Sequence, residues 1–405
     1  MAIFFPRTAT FEFEFLRTLG HARYGGADVG ECLATAGRID DGDFGSWYEE
    51  WTRTADRVRE QAGTSLARGR TVSARDALMR ASNYYRSADF FLHGDRTDPR
   101  IAVAREASVT CYRQAAGLFD APLERVGIPY EDTTLPGYFY APDTSGRVRP
   151  TLVMHNGFDG TGDECYFMGG RAAQERGYNV LAFEGPGQGE VIHDQGLPFR
   201  PDWENVVGPV LDFLLKRPEV DADRVALLGI SMGGVLAPRA AAFDDRIGAV
   251  ITFDGVYDMF AFSLGLVPLP AEEATRRLLA DADDELDALL DEVIAENSVA
   301  RWSTDHGMWV LDAPTPRTFL GKLYDYHLRD GIAERVTCPV LVMKSETDFA
   351  FEGQPEALYA HLPGPKGFAA FTNEEGAGAH CQVGAMNLAA ARMFDWLDGV
   401  FADLS

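Results

Sequence analysis

The chain has 405 residues, more than one compact domain commonly holds, so two folded units are expected. Hydrophobic residues at 46% and charged residues at 24% fit a soluble globular protein with a large core. With 62 acidic against 37 basic side chains and a formal net charge of −25, the surface should repel nucleic acid and anionic membranes, which excludes both as expected partners. The five cysteines (Cys32, Cys111, Cys165, Cys338, Cys381) are scattered, odd in number and form no CxxC pair. Neither a disulfide framework, a zinc site nor a cofactor is expected from them. The opening segment MAIFFPRTATFEFEF lacks the basic and long apolar regions of a secretory signal. No stretch approaches the roughly 20 apolar residues that span a bilayer, so a reducing cytoplasm is the expected location.

From the start to about residue 135 the pattern is helical. Segments 46–62, 74–91 and 99–119 carry apolar residues at helical spacing, with turns at Gly94-Asp95 and around Ala121-Pro122. Asp43 or Ser46 is placed to cap the helix that carries Trp47, Tyr48 and Trp51. Residues 1–135 therefore read as an all-helical N-terminal domain. After it, Gly137-Tyr-Phe-Tyr looks like a strand at the sheet edge. The short apolar runs TLVMH, YNVLAF, RVALLG, AVITF, VLVMK and FAAF then alternate with helical stretches at 169–176, 203–215, 232–242 and 385–401. Apolar strands separated by helices imply a mostly parallel sheet covered on both faces. Residues 136–405 form this second domain. The gap between AVITF and VLVMK is too long for a simple crossover. It contains the acidic helical stretch 271–297 and predicts a lid inserted over about 258–332.

The chemistry centres on Gly229-Ile-Ser-Met-Gly-Gly234, which follows the strand RVALLG and opens a helix-compatible stretch. This is the strand–tight turn–helix setting of a nucleophile elbow, with Ser231 at the turn and Gly229 and Gly233 leaving room for closely passing backbone. A serine needs a base, and the base an orienting acid, both expected downstream in the order acid then histidine. Asp348 lies four residues beyond VLVMK, with Glu346 as the alternative acid or Asp348 as a mere helix cap. His380 follows FAAF in a glycine-rich loop. His21 and His93 fall in the helical domain, His155 ends a strand, His361 lies in a connection, and His306 and His327 lie in the lid. The oxyanion hole is expected from the N–H of Met232 and from the loop after TLVMH, with Phe158 preferred to Gly157 as the donor. The glycine-rich stretch 184–189 contains Pro186 and is followed by no G-K-[ST], so it reads as a loop bordering the pocket and not as a phosphate cradle.

Taken together, NGFDGTGDE (156–164), EGPGQGE (184–190), GISMGG (229–234), KSETD (344–348) and EGAGAHCQ (375–382) resemble a subgroup of α/β-hydrolases. That subgroup includes bacterial 2,6-dihydroxypseudooxynicotine hydrolase, fungal polyketide-shortening pigment hydrolases and fermentation–respiration switch proteins. GSWYEEW at 45–51 resembles its extra helical domain. The resemblance implies an α/β-hydrolase fold, hydrolysis of a C–C bond in β-diketone-like substrates or of an ester, helices that help close the pocket, and a homodimer in some members. It also implies an acidic pocket residue after AVITF, for which Asp254 and Asp258 are the candidates. This chain has Glu190 where the subgroup carries a small residue after PGQG. The function expected is that of a serine hydrolase working through an acyl-enzyme. An acyltransferase or cyclase using the same triad is the alternative within enzymes, and a regulatory binding protein the alternative outside them. The aromatic residues Trp302, Trp309, Tyr324, Tyr326, Tyr84 and Tyr85 suggest an apolar or aromatic small-molecule substrate, although aromatic residues at helical spacing also serve as core.

Overall fold

A computed structural model describes residues 3–121 and 123–402; the expected turn at Ala121-Pro122 falls partly on Pro122, outside the described residues. Five helices come first: α1 (Ala9–Gly20), α2 (Val29–Ala36), α3 (Phe44–Ala67), α4 (Thr71–Asp89) and α5 (Pro99–Ala116). Of the two candidate caps for α3, Asp43 accepts from the N–H groups of Gly45 and Ser46, while the Ser46 hydroxyl receives the N–H of Asp40. α5 starts with Asp98 as cap and Pro99 at its first turn, where the missing N–H costs nothing.

The sheet begins earlier than expected. β1 (Glu124–Tyr130) and β2 (Thr133–Tyr140) form an antiparallel hairpin, and β1 is the edge, lying within the stretch that read as helical. Only Val126, Ile128 and Tyr130 of ERVGIPY turn inward, too brief an alternation to stand out from its surroundings. The other strands are β3 (Arg149–His155), β4 (Asn179–Phe183), β5 (Val220–Ile230), β6 (Ala249–Phe253), β7 (Val340–Ser345) and β8 (Lys366–Phe371). The order across the eight-stranded sheet is β1-β2-β4-β3-β5-β6-β7-β8, and β3 to β8 pair in parallel. Every residue of β4 and β6 is buried, as a strand covered on both faces demands.

Side chains alternate between two cores. On one face Met154, Leu228 and Ile251 pack with α6 (Gly170–Glu175), α15 (Met386–Ala402) and the N-terminal aromatic cluster around Trp47 and Trp51. On the other, Val153, Leu227 and Val250 pack with α7 (Glu204–Leu214), α8 (Gly233–Ala241) and the helices that follow β6. Those helices are α9 (Phe260–Leu266), α10 (Ala271–Leu278), α11 (Asp284–Glu296), α12 (Ser298–Val310) and α13 (Pro316–Lys322). They form the insertion between β6 and β7. After β7 comes α14 (Gln354–His361). No helix among the described residues is long and apolar enough to cross a membrane.

Candidate active site

Three loops at the carboxyl ends of parallel strands converge on one point, the place where open α/β sheets bind ligands. The first is the turn from β5 into α8. Ser231 sits there at φ 58°, and its N–H donates to Phe253 O at 2.5 Å. This left-handed conformation pushes the hydroxyl out over the sheet. The glycines around it are required by contact. A Cβ on Gly229 would lie 2.1 Å from Gly233 O, and one on Gly234 only 1.9 Å from Asp254 O. Gly233, expected to leave room, faces the His155 ring at 3.3 Å, so the tighter demand falls on Gly234.

The second loop follows β7 and carries Asp348; the third follows β8 and carries His380. His380 Nδ1 is 2.8 Å from Asp348 Oδ2, and Nε2 is 2.9 Å from Ser231 Oγ. The carboxylate can only accept, so Nδ1 carries the hydrogen and Nε2 is free to receive the serine proton. Burial alone would lower the His380 pKa, but the charge and hydrogen bond of Asp348, together with Cys381, outweigh it and hold the imidazole well above its ordinary value. Burial would likewise raise Asp348, and the His380 charge and hydrogen bond bring it below the usual carboxylate range. The capping alternative for Asp348 coexists with this role. Its other oxygen accepts from the N–H groups of Ala350 and Phe351. Glu346 instead receives the N–H of Asn373 at 2.6 Å, away from the imidazole.

Asp254 and Asp258 do not line the cavity over Ser231. Asp254 is fully buried behind His380, 3.8 Å from Nδ1. It accepts from the N–H of Cys381 (2.9 Å), the Ser345 hydroxyl (2.8 Å) and the Gln382 amide (2.6 Å). Burial and the charge of Asp348 push its pKa up. Its carboxyl pins the histidine loop, a task that a sequence motif does not reveal because Ser345, Cys381 and Gln382 meet it only in space. Asp258 pairs with Arg329 at 3.3 Å at the base of the insertion. Asp254, His380 and Cys381 bring ligand-type atoms within 4.8 Å of one another. The lone pairs of Asp254 are already engaged by three donors, so this group reads as a hydrogen-bonded loop anchor.

The loop expected to supply an oxyanion donor runs from the end of β3 past the elbow. A Cβ on Gly157 would meet Met232 N at 2.5 Å, so only glycine lets the loop pass this close. The N–H groups of Met232 and Phe158 have no acceptor among the described residues. Phe158 lines the cavity beside Ser231 and Met232; Gly157 supports the loop from behind. The walls of the cavity are largely apolar. Phe13 of α1, Phe158, Phe262, Phe319, Phe349 and Phe351 contribute. Of the six aromatic residues singled out from the sequence, only Trp302 reaches it. Tyr84 and Tyr85 bond to Glu31 and Asp56 within the helical part.

A second, more polar cavity lies across Phe158 and Asp159. His93, His193 and His306 border it, as does the loop 184–190, which lines this second cavity and not the one over Ser231. Glu190 there pairs with Arg113 (2.7 Å) and Arg125 (3.0 Å), so the acidic residue ties the loop to α5 and β1. Burial lowers the His193 pKa to about 2 and that of His306 to about 3. Two further histidines, His155 and His21, serve packing. His155 is fully buried against Phe183 and Trp203, and His21 stacks on Phe167.

A family model described as esterase FrsA-like matches residues 41–295. The chain belongs to this FrsA-like esterase family. It is accordingly a hydrolase of the α/β kind, and the likeness extends beyond the matched segment. A hydrolase from Fusarium sp, LUC6, is 37% identical over 98% of this chain and 97% of its own length. The 20-hydroxy-prefusarin hydrolase FUS2 of Gibberella moniliformis is 38% identical over 97% of this chain and 96% of its own. Among solved structures, 2,6-dihydroxy-pseudo-oxynicotine hydrolase superposes with a TM-score of 0.72 at 22% identity, covering 94% of this chain and 95% of that one. That match shows that the FrsA-like chain shares its fold, helical part included.

Proposed function

We propose that this FrsA-like chain is a serine hydrolase that cleaves a C–C (β-diketone-like) or ester bond of a small, largely apolar metabolite through an acyl-enzyme. The observation that carries the reading is the unbroken chain Asp348–His380–Ser231, with distances of 2.8 and 2.9 Å. Ser231 passes its proton to His380 Nε2 and attacks the substrate carbonyl. The oxyanion is received by the N–H groups of Met232 and Phe158. On collapse the leaving group, an alkoxide or a stabilised carbanion, takes that proton from Nε2. Asp254 is too far behind the ring to deliver it. Water, deprotonated by the same nitrogen, then releases the acid. The apolar walls, and relatives that include a 20-hydroxy-prefusarin hydrolase, support a secondary metabolite as substrate.

The test is covalent. A fluorophosphonate should label the wild-type protein once, at Ser231, and fail on Ser231→Ala. Turnover of p-nitrophenyl butyrate or of a 1,3-diketone should fall by roughly 10⁴-fold or more in that variant with the fold intact. Labelling at another residue, or a fully active Ser231→Ala protein, would overturn the assignment.

A further inference from the structure

The peptide that follows the candidate oxyanion donor is held from outside the sheet. Phe158 offers its carbonyl oxygen to His306 Nε2 at 2.8 Å, and His306 lies on α12 of the insertion. A carbonyl only accepts, so Nε2 carries the hydrogen and Nδ1 of the neutral ring is a bare acceptor. The atom facing that Nδ1, also at 2.8 Å, is His93 Nδ1 from the segment after α4, which must therefore donate. One backbone carbonyl thus sets the tautomer of His306 and, through it, places a hydrogen on His93 Nδ1. Burial keeps His306 neutral, which preserves the arrangement. The Phe158 ring is gripped from the same side, edge-on to His306 at 4.9 Å and stacked on Phe319 of α13 at 6.0 Å. The next residue, Asp159, is taken by Arg17 of α1 at 2.7 Å.

The N–H and C=O of one residue are separated by only two soft dihedrals, so fixing the carbonyl narrows the directions open to the amide. We propose that His306, backed by His93, is a positioning residue for the oxyanion hole, so that seating of the insertion and assembly of the hole are one event. This rests on the reading of Ser231 as the acyl-forming nucleophile and adds the source of the second donor's geometry. In a buried site a carbonyl that loses its donor is left unsatisfied and reorients, and a small misplacement of the adjoining N–H costs stabilisation only where charge develops.

The experiment is fluorophosphonate labelling of the full chain, resolved into reversible binding and the first-order bonding step, beside kcat and KM for p-nitrophenyl butyrate. His306→Leu should slow the bonding step, and kcat with it, roughly 10- to 100-fold while reversible binding and KM stay near wild type. His306→Gln, whose amide N–H reaches the same carbonyl, should recover most of the loss. His93→Phe leaves His306 in place and removes only the donor behind it, so it should show a smaller loss of the same kind and stands in if His306→Leu does not fold. A wild-type bonding rate in His306→Leu or His93→Phe, or a Gln variant as slow as the Leu variant, overturns the proposal. If Ser231→Ala still labels, the nucleophile reading fails; if Ser231→Ala is inert and the histidine variants are unaffected, this inference alone fails.

Discussion

At the scale of single residues, the catalytic reading depends on one carboxylate serving two masters. Asp348 holds its own loop through the N–H groups of Ala350 and Phe351 and orients His380 with its second oxygen. In the proposed mechanism, the same charge that stabilises the imidazolium raises the pH at which the free enzyme has a usable base. Asp348→Asn removes that charge, so the His380 pKa should fall and the acidic limb of kcat/KM should move to lower pH. Turnover should drop by roughly 10³–10⁴-fold, because the neutral amide no longer secures the tautomer. A pH–rate profile whose acidic limb stays in place or moves upward would contradict the role. Asp254, by contrast, is a residue whose type and position suggested the pocket, yet its three donors turn it into the anchor of the histidine loop.

At the scale of elements, the elbow shows how much local pattern reveals. A strand, a serine between glycines and a helix leave one sensible geometry, because backbone contact forbids a Cβ at Gly229 and Gly234. Gly234→Ala should therefore force the turn away from Asp254 O. We expect a loss of about 1–3 kcal/mol or more in stability, read from urea unfolding, together with slower labelling of Ser231. Unchanged unfolding would mean that the elbow has slack the contacts do not show. Elements without such punctuation are less distinct, even within a stretch that reads as helical throughout. β1 presents three inward residues in seven, and α1, with its run FEFEFLRTLG, mixes a strand-like alternation with helical spacing. Yet α1 brings Phe13 and Arg17 to the cavity.

At the scale of the whole molecule, a buried ionic cluster joins the helical part to the hydrolase sheet. Arg17 holds Glu164 through two hydrogen bonds of 2.6 Å, and Arg86 reaches Glu14 at 2.8 Å. Glu164 is fully buried; burial would raise its pKa, but Arg17 and Arg86 hold it well below the usual carboxylate range. Arg17→Met strands that carboxylate without its principal partner and should cost about 3–5 kcal/mol, seen as a lower urea midpoint. Adding Glu164→Gln should return part of the loss. If the single substitution leaves the midpoint unchanged, the cluster does not brace the two parts together.

What the chain alone determined is what depends on short-range order: alternating strands and helices, the elbow, the long insertion, and an acid and a histidine after the strands where a triad needs them. These are legible because period, turn chemistry and chain order act over a few residues. The tertiary structure alone decided that Asp254 anchors the histidine loop, which aromatic side chains reach the cavity, and that Phe158 is gripped by a histidine of the insertion backed by another from the helical part. Such contacts join residues far apart in the chain, Arg17 with Asp159 and His306 with Phe158 each across more than a hundred positions. No local pattern encodes them, because the partners meet only once both cores have closed around the sheet.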